Sequence, residues 1–505
     1  MSSNIVWGFF SALLLAAPYL FPGTYPLAWI AVVPLFWLIG KARSFRGAVF
    51  YGWAMGFLAH VFGFYWLVYT ISVFGGFGYA LSSVIFVVYA LLQGLRIAIF
   101  AALVWVCGLG PLGLFPPLFW VALEFWFPSL FPWYLANSQS SFISFIQSAD
   151  LVGPYGASLI LMWFNTVGYE ALRSWREGSQ VRWRAATLVV LFVAVSIFYG
   201  VSRLGRVDAD LAAARELRVA AVQGNIDVDL KWNPTKVKEN LESYRALTKR
   251  AEGVPLVVWP ETAIEEWVPE KIPELPREVM PPLSSRDFYF IFGARSFRGQ
   301  LMGPGFKAFN SAFLTDGQGR VLGVYHKQVL LAFGEYLPFA AILSKLPAMP
   351  FAEGFTPGDG PYSLDLPGGV RIAPLICYED LMPELSRAFV SQRKVNLLVN
   401  LTNDAWYGRT VAPWQHARLA QWRAIETRRS LLRVTNTGVT TMINAKGEIQ
   451  ESLPIFTPGV LQTNVKLLEG ETFYVWFGDW LAWSVTVAAL AILAVQLYRR
   501  FSSRS

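Results

Sequence analysis

Three apolar runs in this chain end in residues that could do chemistry together. Val370–Ile376 is short and rich in branched side chains, which reads as a buried strand. It stops at Cys377-Tyr378-Glu379-Asp380, ahead of a helix-compatible stretch. Layered α/β folds place nucleophiles at such strand-to-helix turns. The competing reading of Cys377 is a small buried hydrophobe, the usual fate of a free Cys. The run through Val257-Val258-Trp259 ends in Pro260-Glu261, a lone carboxylate held by proline, and Val321–Tyr325 ends in His326-Lys327. Singly, Glu and Lys at strand ends are mostly solvated termini. Together the three ends supply an acid, a cation and a thiol. A carboxylate takes the proton from a thiol that is poorly ionised on its own. A lysine ammonium lowers the thiol pKa and stabilises the oxyanion formed at the attacked carbonyl. This is acyl transfer through a thioester, and it requires neither metal nor cofactor.

The elements that position these residues are of two kinds. The 505 residues are 54% hydrophobic and only 15% charged, too apolar for a chain wholly in water, so much of it belongs in lipid. The length leaves room for two or more domains. A net charge of +8 resembles a nucleic-acid signal, but Arg and Lys gather beside hydrophobic spans, where topology rules place them. No nucleic-acid partner is expected. The other cysteine, Cys107, lies inside a span, so no internal disulfide framework is expected. His60, His326 and His416 have no ligand spacing, which argues against zinc.

Hydrophobic spans read near 5–20, 25–40, 50–73, 78–107, 111–130, 155–173 and 185–203, with an eighth near 476–498. The first has no basic region before it and runs into further spans, so it reads as a retained helix. Pro111, Pro116, Pro117 and Pro128 blur the fifth. Basic residues follow the second span (Lys41, Arg43, Arg46), the sixth (Arg173, Arg176, Arg182, Arg184) and the eighth (Arg499, Arg500, Arg504), whereas loops 21–26 and 74–78 carry none. The positive-inside rule then puts both termini in the cytoplasm and the segment between the seventh and eighth spans outside it. The expected organisation is a seven-span membrane domain over 1–205, a catalytic domain over 216–470, and an eighth helix with a basic tail over 473–505. The intramembrane polar residues His60, Gln93 and Glu124 form no obvious ion pathway. Glu124, an isolated acid, is a functional suspect without an assigned role.

In 216–470, β-type runs alternate with polar, helix-compatible stretches: Leu217–Gln223, Pro255–Trp259, Phe288–Gly293, Val321–Tyr325, Val370–Ile376, Val395–Leu401 and Leu431–Thr435. Asp316-Gly317-Gln318-Gly319 and Asn444-Ala445-Lys446-Gly447 read as hairpin turns. Strands mixed with helices over this length point to a layered α/β domain.

Trp259-Pro260-Glu261, Lys327 with the following Phe333-Gly334-Glu335-Tyr336-Leu337-Pro338, and Ile376-Cys377-Tyr378-Glu379 resemble the Glu–Lys–Cys signature of the nitrilase superfamily. Set between hydrophobic spans, with Asn403-Asp404-Ala405-Trp406-Tyr407-Gly408 downstream, they are similar to its membrane branch, the bacterial apolipoprotein N-acyltransferases. The resemblance covers essentially the whole chain. It implies a nitrilase-like αββα sandwich inserted between the seventh and eighth of eight transmembrane helices and facing the periplasm from the inner membrane. It also implies transfer of an acyl chain from a membrane phospholipid to the N-terminal amine of a diacylated apolipoprotein, by a protein expected to be a monomer. On the same resemblance Glu261 is the general base, Lys327 the oxyanion stabiliser and Cys377 the nucleophile. Glu335 is a second acid near the lysine, and Tyr378 and Glu379 support the turn. Trp232, Trp406 and Trp133, the last in Phe131-Pro132-Trp133-Tyr134, match supporting or substrate-binding positions.

Plainer readings exist for several of these. Trp133 suits an interfacial aromatic belt, Trp232 and Trp406 suit ordinary packing, Glu379 suits a first-turn acid at a helix dipole, and Asp404 suits a turn cap. The apolar, proline-broken stretch from Leu337 to Phe351 reads as a movable arm at the membrane surface covering the thiol, or as a core-packed loop. Competing functions are a membrane-tethered amidase, a transporter and a non-catalytic lipoprotein scaffold. The scarcity of paired intramembrane charges speaks against transport, and the complete trio speaks against a scaffold. A periplasm-active reporter fused after residue 470 is expected to be active and one fused after Ser505 inactive; activity in the reverse pattern would overturn the orientation.

Overall fold

The computed structural model describes residues 2–337 and 354–502. The expected arm, from Pro338 onward, therefore lies outside the described residues. The chain divides into two units, one of Met1–Val68, Gly78–Gly205 and Phe477–Ser505, the other of Tyr69–Phe77 and Arg206–Trp476.

The first unit is helical: α1 (Ser2–Leu20), α2 (Val33–Lys41), α3 (Phe45–Gly63), α5 (Tyr79–Cys107), α6 (Phe115–Trp126), α7 (Tyr155–Glu177), most of α8 (Trp183–Ala213) and α12 (Trp480–Ser502). Large apolar side chains cover its outside: Leu81, Val84, Val88 and Leu92 on α5, Val190, Val195 and Phe198 on α8, and Val487 and Leu490 on α12 are all exposed. Polar residues of α5, namely Ser82, Gln93 and Arg96, are buried instead. Oily outside and polar inside is the pattern of helices solvated by lipid.

Among the described residues, four helical segments suffice by length and apolarity to cross a membrane: 22–41, 79–107, 183–213 and 480–502. A fifth arises if α3 and α4 (Leu67–Gly75) count as one broken span. The expected continuous span 50–73 is thus interrupted after Gly63. There Phe64 and Trp66 turn into an aromatic cluster with Phe131, at ring separations of 6.3 and 5.5 Å. The expected span 111–130 holds a short turn, Pro111–Gly113, and the 12-residue α6, which has Pro116 and Pro117 in its first turn and ends before Pro128.

Small residues let α3 and α5 approach closely. A Cβ on Gly52 would stand 2.5 Å from the Ile97 carbonyl oxygen, one on Gly56 2.8 Å from that of Gly94, and one on Gly94 2.9 Å from the Phe57 nitrogen. These are backbone contacts that cannot swing aside, and they bring two backbones together as small residues do in membranes.

In the second unit, thirteen strands among the described residues build two sheets. The first runs β13-β1-β2-β4-β5-β6, with β3 beside β4; the second runs β12-β11-β10-β9-β8-β7. Their spans are β1 Arg215–Gln223, β2 Leu256–Val258, β3 Ile264–Pro269, β4 Tyr289–Arg298, β5 Lys307–Asp316, β6 Val321–His326, β7 Leu364–Leu366, β8 Val370–Ile376, β9 Leu397–Thr402, β10 Ser430–Thr435, β11 Thr441–Ile443, β12 Ile449–Ser452 and β13 Gly459–Leu467. Parallel strands occupy the middle of each sheet, β1-β2-β4 and β8-β9-β10.

Alternation along β1 sorts the layers. Val219 and Ala221 enter the core shared by the two sheets, which also takes Ile372 and Leu398. Ala220 and Val222 enter an outer core with Tyr244 of α9 (Val237–Thr248). Phe389 of α10 (Pro383–Arg393) and Ala420 of α11 (Ala412–Thr427) join the shared core. The result is the nitrilase-like layering. Both glycine turns close hairpins, β5–β6 and β11–β12. In each, a side-chain oxygen of the first residue accepts two backbone N–H bonds at 3.0 Å, Asp316 from Gln318 and Arg320, Asn444 from Lys446 and Glu448.

The substitution Gly94→Val is expected to destabilise the helical unit by about 2 kcal/mol, the usual cost of overpacking. Its thermal unfolding in detergent is compared with that of Gly23→Ala, whose new methyl meets nothing within 4 Å. Equal midpoints would show that α3 and α5 tolerate separation.

Candidate active site

Glu261 follows β2, at the carboxyl end of a parallel strand. The preceding Trp259 is fully buried, stacks on Tyr244 at 5.3 Å and donates its indole N–H to Thr248 Oγ1 at 2.9 Å. That anchor fixes the exit of the strand. The turn then lies directly on β4, where a Cβ on Gly293 would stand 2.5 Å from the Thr262 nitrogen and 2.6 Å from Glu261 Cα. Glycine at 293 is what admits the acid. Glu261 Oε1 accepts from Asn310 Nδ2 at 2.8 Å, and Oε2 from the Asn403 N–H at 3.0 Å. Burial raises its pKa, with Lys327 and the Asn310 hydrogen bond pulling down and Glu335 pushing further up.

Lys327 follows β6 and is almost entirely buried. Its Nζ lies 2.7 Å from Glu335 Oε2, which also accepts the Leu331 N–H at 2.8 Å. Glu335 Oε1 accepts from Asn310 Nδ2 at 2.9 Å. Burial opposes the charge on Lys327, but Glu335, Cys377 and Glu261 outweigh it and hold the ammonium above its ordinary range. Asn310 is the residue that sequence reasoning missed. Its signal was a polar pair, Asn310-Ser311, inside the apolar stretch Ala308–Leu314.

Cys377 follows β8 and begins a tight turn, Cys377–Leu381. Its φ of 52° lies in the left-handed region, a conformation that costs a non-glycine residue about 1 kcal/mol or more and tends to persist at functional sites. Asn400 Nδ2 secures the strained peptide by donating to the Cys377 carbonyl at 3.0 Å. Lys327 was expected to lower the thiol pKa. In the structure burial dominates, Glu261 adds to it, and the thiol is pushed well above its usual value despite the lysine. The sulfur is then a thiol at neutral pH, and any nucleophilic role for it would need a base to take its proton.

Glu379 is a brace. Its Oε1 accepts from the Tyr325 hydroxyl at 2.9 Å, the Gln328 N–H at 2.6 Å and the Val329 N–H at 3.1 Å, while Oε2 accepts from the Ile376 N–H at 2.8 Å. One carboxylate thereby ties the loop after Lys327 to the residue before Cys377. Burial pushes it up to about 7, against Lys327 and these N–H donors.

Trp406 stacks on Trp232 at 6.2 Å and meets Phe74 at 4.4 Å. Arg295 lies over Trp232 at 5.2 Å and over Trp267 at 5.0 Å. Tyr378 is half-buried, and burial raises its phenol. These residues share the second unit with Glu261, Lys327, Glu335, Cys377 and Glu379. Trp133 belongs to the first unit and is buried, not exposed as a belt aromatic would be. His60 meets its ring edge-on at 4.5 Å, and Arg96 donates to its carbonyl at 3.0 Å. Glu124 Oε1 accepts from the Leu135 N–H and Trp120 Nε1, both at 2.6 Å. The isolated acid of the sequence thus holds irregular backbone beside Trp133, backbone that lipid alone would leave unsatisfied.

Glu379→Gln puts an amide NH2 where four donors converge. Loss of a buried charged acceptor costs on the order of 3 kcal/mol. The variant is expected to unfold earlier on heating and to lose most acyltransferase activity. Wild-type stability with wild-type activity would remove the bracing role.

The carbon–nitrogen hydrolase family model matches residues 218–472, and that of the apolipoprotein N-acyltransferase N-terminal domain matches 11–167. A Geobacter metallireducens protein named apolipoprotein N-acyltransferase is 35% identical over 505 residues, 97% of this chain and 95% of its own. One of the same name from Azotobacter vinelandii is 33% identical over 503 residues, covering 95% and 92%. Among solved structures, a mutant nitrilase-superfamily amidase from Nesterenkonia AN1 is similar over 52% of this chain and 93% of its own, at 20% identity and a TM-score of 0.35. On the two family models and the full-length relatives, the chain belongs to the apolipoprotein N-acyltransferase family.

Proposed function

We propose that this protein N-acylates apolipoproteins by a two-step transfer through Cys377, with Glu261 as base and Lys327 as oxyanion stabiliser. The observation that carries this reading is the shared amide of Asn310, which holds Glu261 and the Glu335 partner of Lys327 together beside the nucleophile turn. As Sγ attacks the ester carbonyl of a membrane phospholipid, Glu261 takes the thiol proton. Lys327 faces the negative oxygen of the tetrahedral intermediate. The intermediate collapses to a thioester, and the lysophospholipid leaves with the proton from Glu261. The N-terminal amine of a diacylglyceryl-cysteine apolipoprotein then attacks the thioester, loses its proton to Glu261, and leaves as an amide, while Cys377 regains a proton. Glu335 keeps Lys327 charged and placed. Trp232, Trp406 and Phe74 offer an apolar surface suited to acyl chains.

The reading extends to organisation. An acyl chain gains about 0.8 kcal/mol per methylene by staying out of water, so both lipid substrates should arrive laterally. Eight spans, with the catalytic domain (216–470) between the seventh and eighth, both termini cytoplasmic and the site in the periplasm, satisfy the charge pattern. The helices around 1–205 and 473–505 then serve as platform and lipid entry.

Incubation with phospholipid alone is expected to add one acyl mass to the Cys377 peptide, labile to neutral hydroxylamine, and a diacylated lipopeptide should discharge it onto the amine. Fatty acid released without acceptor would favour a hydrolase, and a Cys377 that never acylates would end the covalent route. Because Glu261 works as the ionised base and its pKa is raised, acylation should fall as pH drops while still above the ordinary carboxylate range. That limb should vanish in Glu261→Gln. Lys327→Met should slow acylation by on the order of 3 kcal/mol, the worth of a lost oxyanion donor.

A further inference from the structure

Beneath the site lies a closed ring of charged side chains that the mechanism does not use. His416, on α11, faces Asp404 Oδ1 with Nδ1 and Asp380 Oδ1 with Nε2, both at 2.9 Å. Arg433, on β10, bonds Asp380 Oδ2 and lies 3.6 Å from Asp404 Oδ2. His416 is 4% exposed, the other three 0%. Tyr407 packs edge-on against the imidazole at 6.1 Å.

The two aspartates are not interchangeable parts of a core. Asp380 sits in the Cys377–Leu381 turn that carries the nucleophile. Asp404 directly follows Asn403, whose N–H holds Glu261 Oε2 at 3.0 Å, and Asn403 is itself fixed by Asn436 at 3.0 Å. Arg433 is near enough to Cys377 to interact with it electrostatically. One imidazole therefore spans the turn that aims the sulfur and the turn that aims the base. Buried ionic clusters stabilise no better than apolar packing of equal volume, while losing one member is costly. Stability alone is therefore a weak reason for four ionisable side chains to be buried together at this spot.

We infer that His416 is a positioning residue that sets the placement of Cys377 Sγ against the Glu261 carboxylate by bridging Asp380 and Asp404. The inference rests on the reading of Cys377 as nucleophile and Glu261 as base. It makes the first half-reaction sensitive to a side chain that touches neither substrate nor thiol.

Two variants test it in the full-length protein in phospholipid nanodiscs. His416→Gln leaves a donor for one aspartate only. Gly438→Ala keeps all four charged residues and crowds one, since its new methyl would stand 2.1 Å from Asp404 Oδ2. The readouts are the rate of thioester formation at Cys377, its dependence on phospholipid concentration, and the thermal midpoint. Expected is a loss of kcat approaching a hundredfold per folded molecule, the scale of an ångström misplacement, with KM little changed and the midpoint lowered in both variants, as loss or crowding of a buried ionic partner requires. In a Glu261→Gln background the same substitutions should cost little, because there is no base left to misalign. Equal losses in both backgrounds, a wild-type rate in a folded variant, or failure of both variants to fold would overturn the inference and leave the ring a part of the fold. Cys377→Ala is run alongside: persistent acyl transfer in that variant would instead bring down the nucleophile reading itself.

Discussion

Two carboxylates, Glu261 and Glu335, take the two hydrogens of a single amide nitrogen, Asn310 Nδ2, and a buried ammonium bonds the second of them. Unshielded in a dry interior, two such acids would repel and one would take up a proton. The shared amide and Lys327 let them coexist, and the division of labour follows. The lysine is held charged, the thiol is held neutral, and Glu261 is left desolvated with its pKa raised. The same economy of partners recurs at Glu379, where four donors from two strand ends meet on one carboxylate. Positioning here comes from buried hydrogen bonds whose absence would be expensive.

Legibility in the sequence followed burial and periodicity. Val370–Ile376 emerged with its expected boundaries, because a branched apolar run ending at a reactive residue has few other readings. The turn glycines named both hairpins. The strand carrying Asn310 went unread, since Lys307, Asn310, Ser311, Thr315 and Asp316 break its apolar character, and only its place between β4 and β6 buries it. The weight of burial on the thiol went unread for a related reason: Lys327 does pull its pKa down, as expected, but burial pushes it further up. Lysine and cysteine are visible in a sequence, but the desolvation that outweighs their attraction is a property of the packed layers. His416 looked idle because ligand spacing is a local test, and its partners come from residues 380, 404 and 433.

The helical unit taught a different lesson. Hydropathy found the apolar segments but not their interruptions. Glycines at 52, 56 and 94 bring α3 and α5 backbone to backbone, and intramembrane polar groups such as Arg96 and Glu124 turn inward to saturate non-helical peptide near Trp133. Such groups permit irregular chain at a depth where lipid offers no partners.

The pairing of β1 with β13 has a consequence for how the protein is made. Arg215 lies opposite Leu467 and Gln223 opposite Gly459, so the first and last strands of the catalytic unit are neighbours. A module whose ends adjoin can be set between two membrane helices without stretching either. It also cannot close early. β1 sits between β13 and β2, and its outer edge stays unsatisfied until nearly the whole unit has been synthesised. Pairings this distant in sequence form slowly and leave an aggregation-prone edge exposed meanwhile. During biogenesis, then, Glu261, Lys327 and Cys377 are all made before β13, the strand that completes the first sheet, and the finished unit waits on that final segment to arrive.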